Sequence, residues 1–209
     1  MARRKLHDRY FKQAKAEGYV ARSAYKLVEI NQKKRVMHRS DRVLDLGCAP
    51  GAWLQVAAQA VGRSGSVVGL DLQRVRRDFG ETVVTIEGDA TKIDPEELLA
   101  AGCVNPSPYD CVLSDMAPST GGGAGGSGDH FLSVRLCESV LELAKQVLEP
   151  GGNLAMKVFE GEAYKGLLDE TGRLFEHVKG FKPAASRDAS REIYIIAHRL
   201  RKPKQSNDM

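Results

Sequence analysis

No apolar run in the 209 residues approaches the ~20 needed to cross a bilayer, so no membrane association is expected. The first residues, Met1-Ala2-Arg3-Arg4-Lys5-Leu6-His7-Asp8, carry charge with no apolar stretch behind it, which argues against a secretory signal. Asp8, Glu17 and a shortage of serine argue against an organelle presequence. The four cysteines, Cys48, Cys103, Cys111 and Cys137, form no C-x-x-C pair, and no histidine stands at zinc-finger spacing. They read as reduced, mostly buried, small apolar residues of a cytoplasmic protein with no metal site. No internal repeat is visible. Hydrophobic residues make up 42% and charged residues 28%, the balance of one ordinary globular domain.

Charge of either sign is plentiful but unevenly placed. The net charge is only +4. Residues 1–42 hold 13 Lys/Arg against 4 Asp/Glu, residues 43–172 hold 9 against 19, and residues 173–209 hold 9 against 4. Basic ends flank an acidic middle, which points to a polyanion footprint where the two ends meet. Residues 1–20 read as a basic segment and 200–209 as a basic, flexible tail.

Residues 22–38 read as a helix, with Ala24, Leu27, Val28, Ile30 and Val36 near a 3–4 spacing. Strand-like runs follow at Val43–Leu46, Ser66–Leu70, Val83–Glu87, Cys111–Ser114, Asn153–Val158 and Ile193–Ala197. Helical runs at Ala52–Ala60, Pro95–Ala101, Phe131–Leu148 and Ala163–Glu176 separate several of them. This alternation predicts an α/β fold with a mostly parallel sheet and helices on both faces. Glu149-Pro150-Gly151-Gly152 ends a helix and turns into a strand. The Gly-rich run 119–128 follows a strand's carboxyl end and reads as a mobile loop on the substrate side.

The first strand–helix turn is Asp45-Leu46-Gly47-Cys48-Ala49-Pro50-Gly51-Ala52-Trp53. Glycine at both ends lets main chain approach a ligand at the strand's carboxyl end. The turn does not follow the G-x-G-x-x-G pattern, since the second Gly, which makes room for a pyrophosphate, is missing; no Gly-Lys-Ser/Thr of a P-loop follows either. A nicotinamide-dependent oxidoreductase is thereby disfavoured, and a phosphate-free nucleoside is the better ligand. Asp71 closes the second strand about 20 residues after the Gly turn, the spacing of a ribose-binding acid. Asp89 closes the third, where a carboxylate suits an adenine amino group. A row of carboxylates at Asp45, Asp71 and Asp89 suits S-adenosylmethionine, which carries a positive sulfonium. Gly125-Gly126-Ser127-Gly128-Asp129 misses the G-x-S-x-G serine-hydrolase pattern at its last position.

Four polar residues stand where apolar or plain loop residues are expected. Lys26 lies in the first helix, Asp115 ends the fourth strand, Lys157 interrupts Leu154-Ala155-Met156-Lys157-Val158-Phe159, and Glu192 opens the last strand. If that last strand runs antiparallel, its beginning shares an edge with the carboxyl ends of the others, and Glu192 can meet Asp115 and Lys157.

Ser23-Ala24-Tyr25-Lys26-Leu27, the Asp45–Trp53 turn, Ser114-Asp115-Met116-Ala117-Pro118, Lys157-Val158-Phe159-Glu160-Gly161 and Ser190-Arg191-Glu192-Ile193-Tyr194 together resemble the FtsJ/RrmJ ribosomal RNA 2′-O-ribose methyltransferases. The resemblance runs over nearly the whole chain. It implies a Rossmann-like class I methyltransferase domain spanning 1–209, with a seven-stranded, mostly parallel sheet whose last strand is reversed. It implies a Lys-Asp-Lys-Glu tetrad at Lys26, Asp115, Lys157 and Glu192. It implies S-adenosyl-L-methionine contacts at Gly51, Trp53, Asp71, Asp89 and Asp115. The Gly-rich run before Asp129-His130 is longer than the corresponding loop of the bacterial members.

The implied reaction is methyl transfer to a ribose 2′-hydroxyl of RNA, with a uridine of large-subunit ribosomal RNA as the expected target. A hydroxyl needs a base to take its proton, and Lys157 is the candidate. Lys157 must act neutral: partial burial and the nearby positive Lys26 and sulfonium favour the neutral amine, whereas Asp115 and Glu192 push the other way and mainly orient it. Arg3, Arg4, Lys5, Arg9, Lys12, Lys15, Arg22, Lys33, Lys34 and Arg35 are the candidate RNA contacts, with binding that weakens steeply with salt. Tyr10, Phe11 and Tyr19 either stack on unpaired bases or pack within the fold. Ribosomal RNA, within the large subunit, is the expected partner of a monomer. A transfer RNA or messenger-cap 2′-O-methyltransferase and a non-catalytic ribosome-assembly factor are the competing readings.

Overall fold

The computed structural model describes residues 10–102, 105–118, 127–186 and 190–202. Seven strands form one sheet: β1 (Arg42–Leu46), β2 (Ser66–Asp71), β3 (Val83–Glu87), β4 (Tyr109–Ser114), β5 (Leu148–Phe159), β6 (Phe175–Phe181) and β7 (Glu192–Leu200). Their order is β3-β2-β1-β4-β5-β7-β6. β7 runs antiparallel to both neighbours, while the other pairings are parallel. The helices are α1 (residues 10–16), α2 (Ala24–Lys34), α3 (Ala52–Val61), α4 (Pro95–Ala100), α5 (Ser127–Val147) and α6 (Tyr164–Leu174).

Alternation along each strand sorts the apolar residues into two cores. Leu44, Leu46, Val68, Leu70, Val112, Leu154, Met156 and Ile195 face α4, α5 and α6. Val43, Val67, Cys111, Leu113, Ala155, Tyr194 and Ile196 face α2 and α3. Burial on both faces explains why β1, after Arg42, reads as an apolar run broken only by Asp45. Strand order reverses between β1 and β4, where the chain departs to opposite sides and leaves a crevice at the strands' carboxyl ends.

A buried arginine ties β1 to α4. The Arg42 guanidinium donates to the carbonyls of Leu98, Leu99, Ala101 and Ser107, and lies 4.1 Å from the centre of the Tyr109 ring. It caps the end of a helix whose start is capped by Asp94, which accepts from the Glu96 amide at 2.9 Å.

Several boundaries differ from the sequence reading, each for a local reason. α2 stops at Lys34, because Arg35 turns left-handed (φ 52°) and its amide closes on Asn31. Val36, read as helical, is buried in the following loop, where its carbonyl receives Asn153 Nδ2 at 3.1 Å. β6 was not anticipated: Phe175 and Glu176, read as the end of a helix, open an edge strand instead. Its exposed Glu176, His177 and Lys179 blur the alternation and keep the edge from pairing with other chains. Leu148 starts β5 rather than ending α5, and the Glu149–Gly152 turn lies inside β5 as an irregularity in its pairing with β4.

Candidate active site

The crevice rim collects the strand-terminal acids. Asp71 ends β2 and splits its carboxylate between the Ala49 amide (2.9 Å) and the Gln73 amide (2.8 Å), holding the first Gly turn against the β2–β3 loop. Asp89 accepts from both the amide (3.0 Å) and hydroxyl (2.8 Å) of Thr91 and pairs with Lys92 at 3.2 Å. Those hydrogen bonds, the Thr91 amide first, hold its carboxyl below the ordinary value. Leu72, beside Asp71, is 71% exposed, an apolar surface at the crevice mouth that the sequence reading did not single out.

The turn between β1 and α3 shows why its glycines are needed. Gly51 adopts φ 109°, and a Cβ there would lie 2.2 Å from Phe79 Cζ. The Ala49–Pro50 peptide is cis. Trp53, three per cent exposed, points inward. Its indole N–H donates to the Ser23 carbonyl at 3.0 Å and its ring lies 5.7 Å from that of Tyr194. It thereby docks the start of α2 beneath the crevice.

Asp45 is fully buried, and neither of its carboxylate oxygens has a hydrogen-bond partner among the described residues. Burial, reinforced by the charges of Asp115 and Asp71, pushes its carboxyl well above the ordinary range.

The four polar residues singled out by sequence form two ion pairs joined by a tyrosine. Lys26 Nζ lies 2.7 Å from Glu192 Oε1, and Lys157 Nζ lies 3.0 Å from Asp115 Oδ1. Lys157 also donates to the Asp115 carbonyl at 2.5 Å. The Tyr194 hydroxyl donates to Asp115 Oδ1 at 2.7 Å, and Lys26 Nζ sits 5.9 Å from the centre of the same ring. Burial, then the Asp115 and Glu192 charges, drive the Tyr194 phenol far above its usual range, so it stays a donor. The reversal of β7 brings this about: Phe159 pairs with Glu192 and Lys157 with Tyr194, setting the start of β7 beside the end of β5. Glu192 and Tyr194 share one face of the strand, which is the only sequence signal for Tyr194.

The basic candidates divide. Arg3, Arg4, Lys5 and Arg9 lie outside the described residues, as do the Gly-rich residues 119–126 and the tail 203–209. Lys12, Lys15 and Arg35 are exposed, and Arg22 is half-buried. Lys33 pairs with Glu29 at 2.7 Å, and both Lys33 and Lys34 lie over the Phe181 ring, at 5.7 and 4.9 Å. Tyr10 and Tyr19 pack against Tyr25 at 5.5 and 5.6 Å, so both rings are engaged within the fold, whereas Phe11 is exposed.

A family model of FtsJ-like methyltransferases matches residues 19–200. The chain is 49% identical over 197 residues to the ribosomal RNA large subunit methyltransferase E of Syntrophobacter fumaroxidans, covering 94% of this chain and 98% of that one. It is 46% identical over 199 residues to the protein of the same name from Methanosarcina mazei, covering 94% of this chain and 71% of that one. Among solved structures, a ribosomal RNA methyltransferase of Plasmodium falciparum superimposes with a TM-score of 0.74 at 25% identity, over 88% of this chain and all of that one. Fibrillarin of Aeropyrum pernix, solved with natively bound S-adenosyl-L-methionine, shares the fold at a TM-score of 0.60 and 22% identity, over 84% and 76% of the two chains.

Proposed function

The chain belongs to the FtsJ-like methyltransferase family, and from that membership we propose that it methylates a ribose 2′-hydroxyl of large-subunit ribosomal RNA, using S-adenosyl-L-methionine. The observation that carries this reading is the meeting of Lys157–Asp115 and Lys26–Glu192 beside a crevice whose rim is acidic.

The donor set fits this cofactor. The crevice offers carboxylates at Asp71, Asp89 and Asp115, an exposed apolar side chain at Leu72, and a turn kept open by Gly51. Carboxylates accept from ribose hydroxyls and an adenine amine, attract a sulfonium and repel a phosphate. Gly51 and these three aspartates would hold the cofactor, with Trp53 supporting the turn from below. When bound, the sulfonium supplies an electrophilic methyl group.

The chain's own residues do the rest. Lys157 takes the proton of the 2′-hydroxyl as that oxygen becomes the nucleophile. To accept it, Lys157 must first lose its own proton. Tyr194 keeps Asp115 Oδ1 in place, and Glu192 holds Lys26 at the same rim, so both reactants meet a fixed frame. The RNA contacts come from basic side chains of residues 1–20, of α2 and of the tail 200–209. On this reading the enzyme is a single-domain cytoplasmic monomer that needs no metal.

Radiolabelled methyl transfer to large subunits, naked ribosomal RNA and transfer RNA tests the substrate. Lys157→Ala should abolish transfer while calorimetry still detects cofactor binding. Lys157→Arg should be equally inactive, because arginine stays charged. Near-normal transfer by either variant would remove Lys157 as the base.

A further inference from the structure

Beyond Ser114 and Met156, β4 no longer accompanies β5, so on that side the main chain of Lys157 and Phe159 has no strand neighbour among the described residues. Three side chains of α5 take its place. His130, Ser133 and Cys137 share one face of the helix at three- and four-residue spacing, and all are buried. Cys137 Sγ donates to the Lys157 carbonyl at 3.1 Å. The Ser133 hydroxyl receives the Phe159 amide at 3.1 Å and donates to the His130 carbonyl at 2.7 Å. His130 Nδ1 meets the Phe159 carbonyl at 2.7 Å, and His130 Nε2 accepts the Ala163 amide at 3.0 Å.

These partners define the ring chemically. A backbone amide can only donate, so Nε2 carries no proton; a carbonyl can only accept, so Nδ1 carries one. The ring is a neutral imidazole in a single tautomer. Gly161 confirms how closely the loop wraps it, since a Cβ there would lie 2.4 Å from His130 Cγ and Cδ2. His130 therefore clasps Phe159, two residues past Lys157, and Ala163, on either side of this glycine. α5 itself starts at Ser127, taking in the last two residues of the Gly-rich run 119–128 that follows Asp115.

We propose that His130, as the Nδ1-protonated neutral tautomer, is a positioning residue for Lys157, with Ser133 and Cys137 completing a side-chain substitute for the missing strand. The proposal rests on the reading of Lys157 as the base. Displacing a reacting group by about an ångström costs about a hundredfold in rate, so losing the clasp should lower turnover without removing either binding site.

The test compares His130→Leu, His130→Asn and Gly161→Ala with the wild type in steady-state methyl transfer, cofactor calorimetry and NMR. His130→Leu should lower kcat by about 10- to 100-fold, with KM for both substrates and cofactor affinity within about twofold. His130→Asn keeps a donor near the Nδ1 position and should recover most of kcat. It should leave the Ala163 amide unprotected from hydrogen exchange. Gly161→Ala, which pushes on the ring and leaves the histidine in place, should lower kcat with the same unchanged KM. It carries the test together with His130→Asn should the leucine variant not fold. In the wild type, nitrogen-15 histidine spectra should show the Nδ1–H tautomer. An Nε2–H tautomer or an imidazolium, wild-type kcat in His130→Leu or Gly161→Ala, or a kcat loss that merely tracks the unfolded fraction would overturn the proposal. Full activity in Lys157→Ala would instead sink the reading of the base, leaving the tautomer and the Ala163 protection as found.

Discussion

Asp45→Asn should stabilise the protein, and by more the higher the pH. The side chain is fully buried, its oxygens have no partner among the described residues, and the neighbouring Asp71 and Asp115 charges oppose its ionisation. Its folded-state carboxyl therefore titrates above its unfolded value of about 3.9. Between the two values the folded protein binds one more proton than the unfolded chain, so stability falls as pH rises. One proton of difference corresponds to about 1.4 kcal/mol per pH unit. Asparagine has nearly the same shape and no proton to lose, so its variant lacks that slope. Urea unfolding of the cofactor-free protein, in half-unit steps upward from pH 4, measures the difference. The Asn variant should gain on the wild type by about 1.4 kcal/mol for each pH unit within the window. Cys48, Cys111 and Tyr194 nearby are all pushed upward, away from this range, and do not mimic the effect. Parallel stability curves for the two proteins would show that Asp45 is ionised in the fold and refute the reasoning.

Gly51→Ala should destabilise by ~1–3 kcal/mol and weaken cofactor binding in calorimetry, through its left-handed backbone and the clash with Phe79. Adding Phe79→Ala relieves the clash but not the backbone strain, so full rescue by the double variant would assign the whole effect to the ring. Arg42→Met leaves four carbonyls without their charged donor and should cost ~3 kcal/mol, a fall of about 10 °C in Tm by calorimetry. Cys48, Cys111 and Cys137 are buried and their thiols are pushed up, that of Cys137 to about 12, mainly by burial. All three should react with a thiol reagent only as fast as the protein unfolds; peptide mapping that finds one labelled quickly in the folded state would contradict their burial.

Most of the sheet was legible because its strands are buried on both faces and stand out as apolar runs. Lys157 and Asp115 were legible for the opposite reason, as charges where such runs demand apolar residues or end. Glu192 required a topological condition, the reversed last strand, and β7 meets it. Tyr194 was hidden: an aromatic residue in a buried strand is what packing alone would select, and only the hydroxyl's contact with Asp115 distinguishes it. His130 was hidden because its partners are main-chain groups of a loop far away in sequence, which leave no trace in residue identity. β6 was lost because an edge strand with polar residues on both faces has no period to detect. Trp53 stood out as part of the first Gly turn, yet its indole bond to Ser23 depends on where α2 docks, which no local pattern encodes.

The strand order carries a consequence for synthesis. β7 lies between β5 and β6, yet both are made before it. β6 pairs only with β7 among the described strands, so it cannot join the sheet until β7 has been made. Glu192 cannot meet Lys26, nor the Tyr194 hydroxyl Asp115, until residues 192–200 have cleared the exit tunnel and paired with β5. The β3-β2-β1-β4 side of the sheet can form early, but the Lys26–Glu192 pair and the Tyr194–Asp115 hydrogen bond arrive together, with the strand added last.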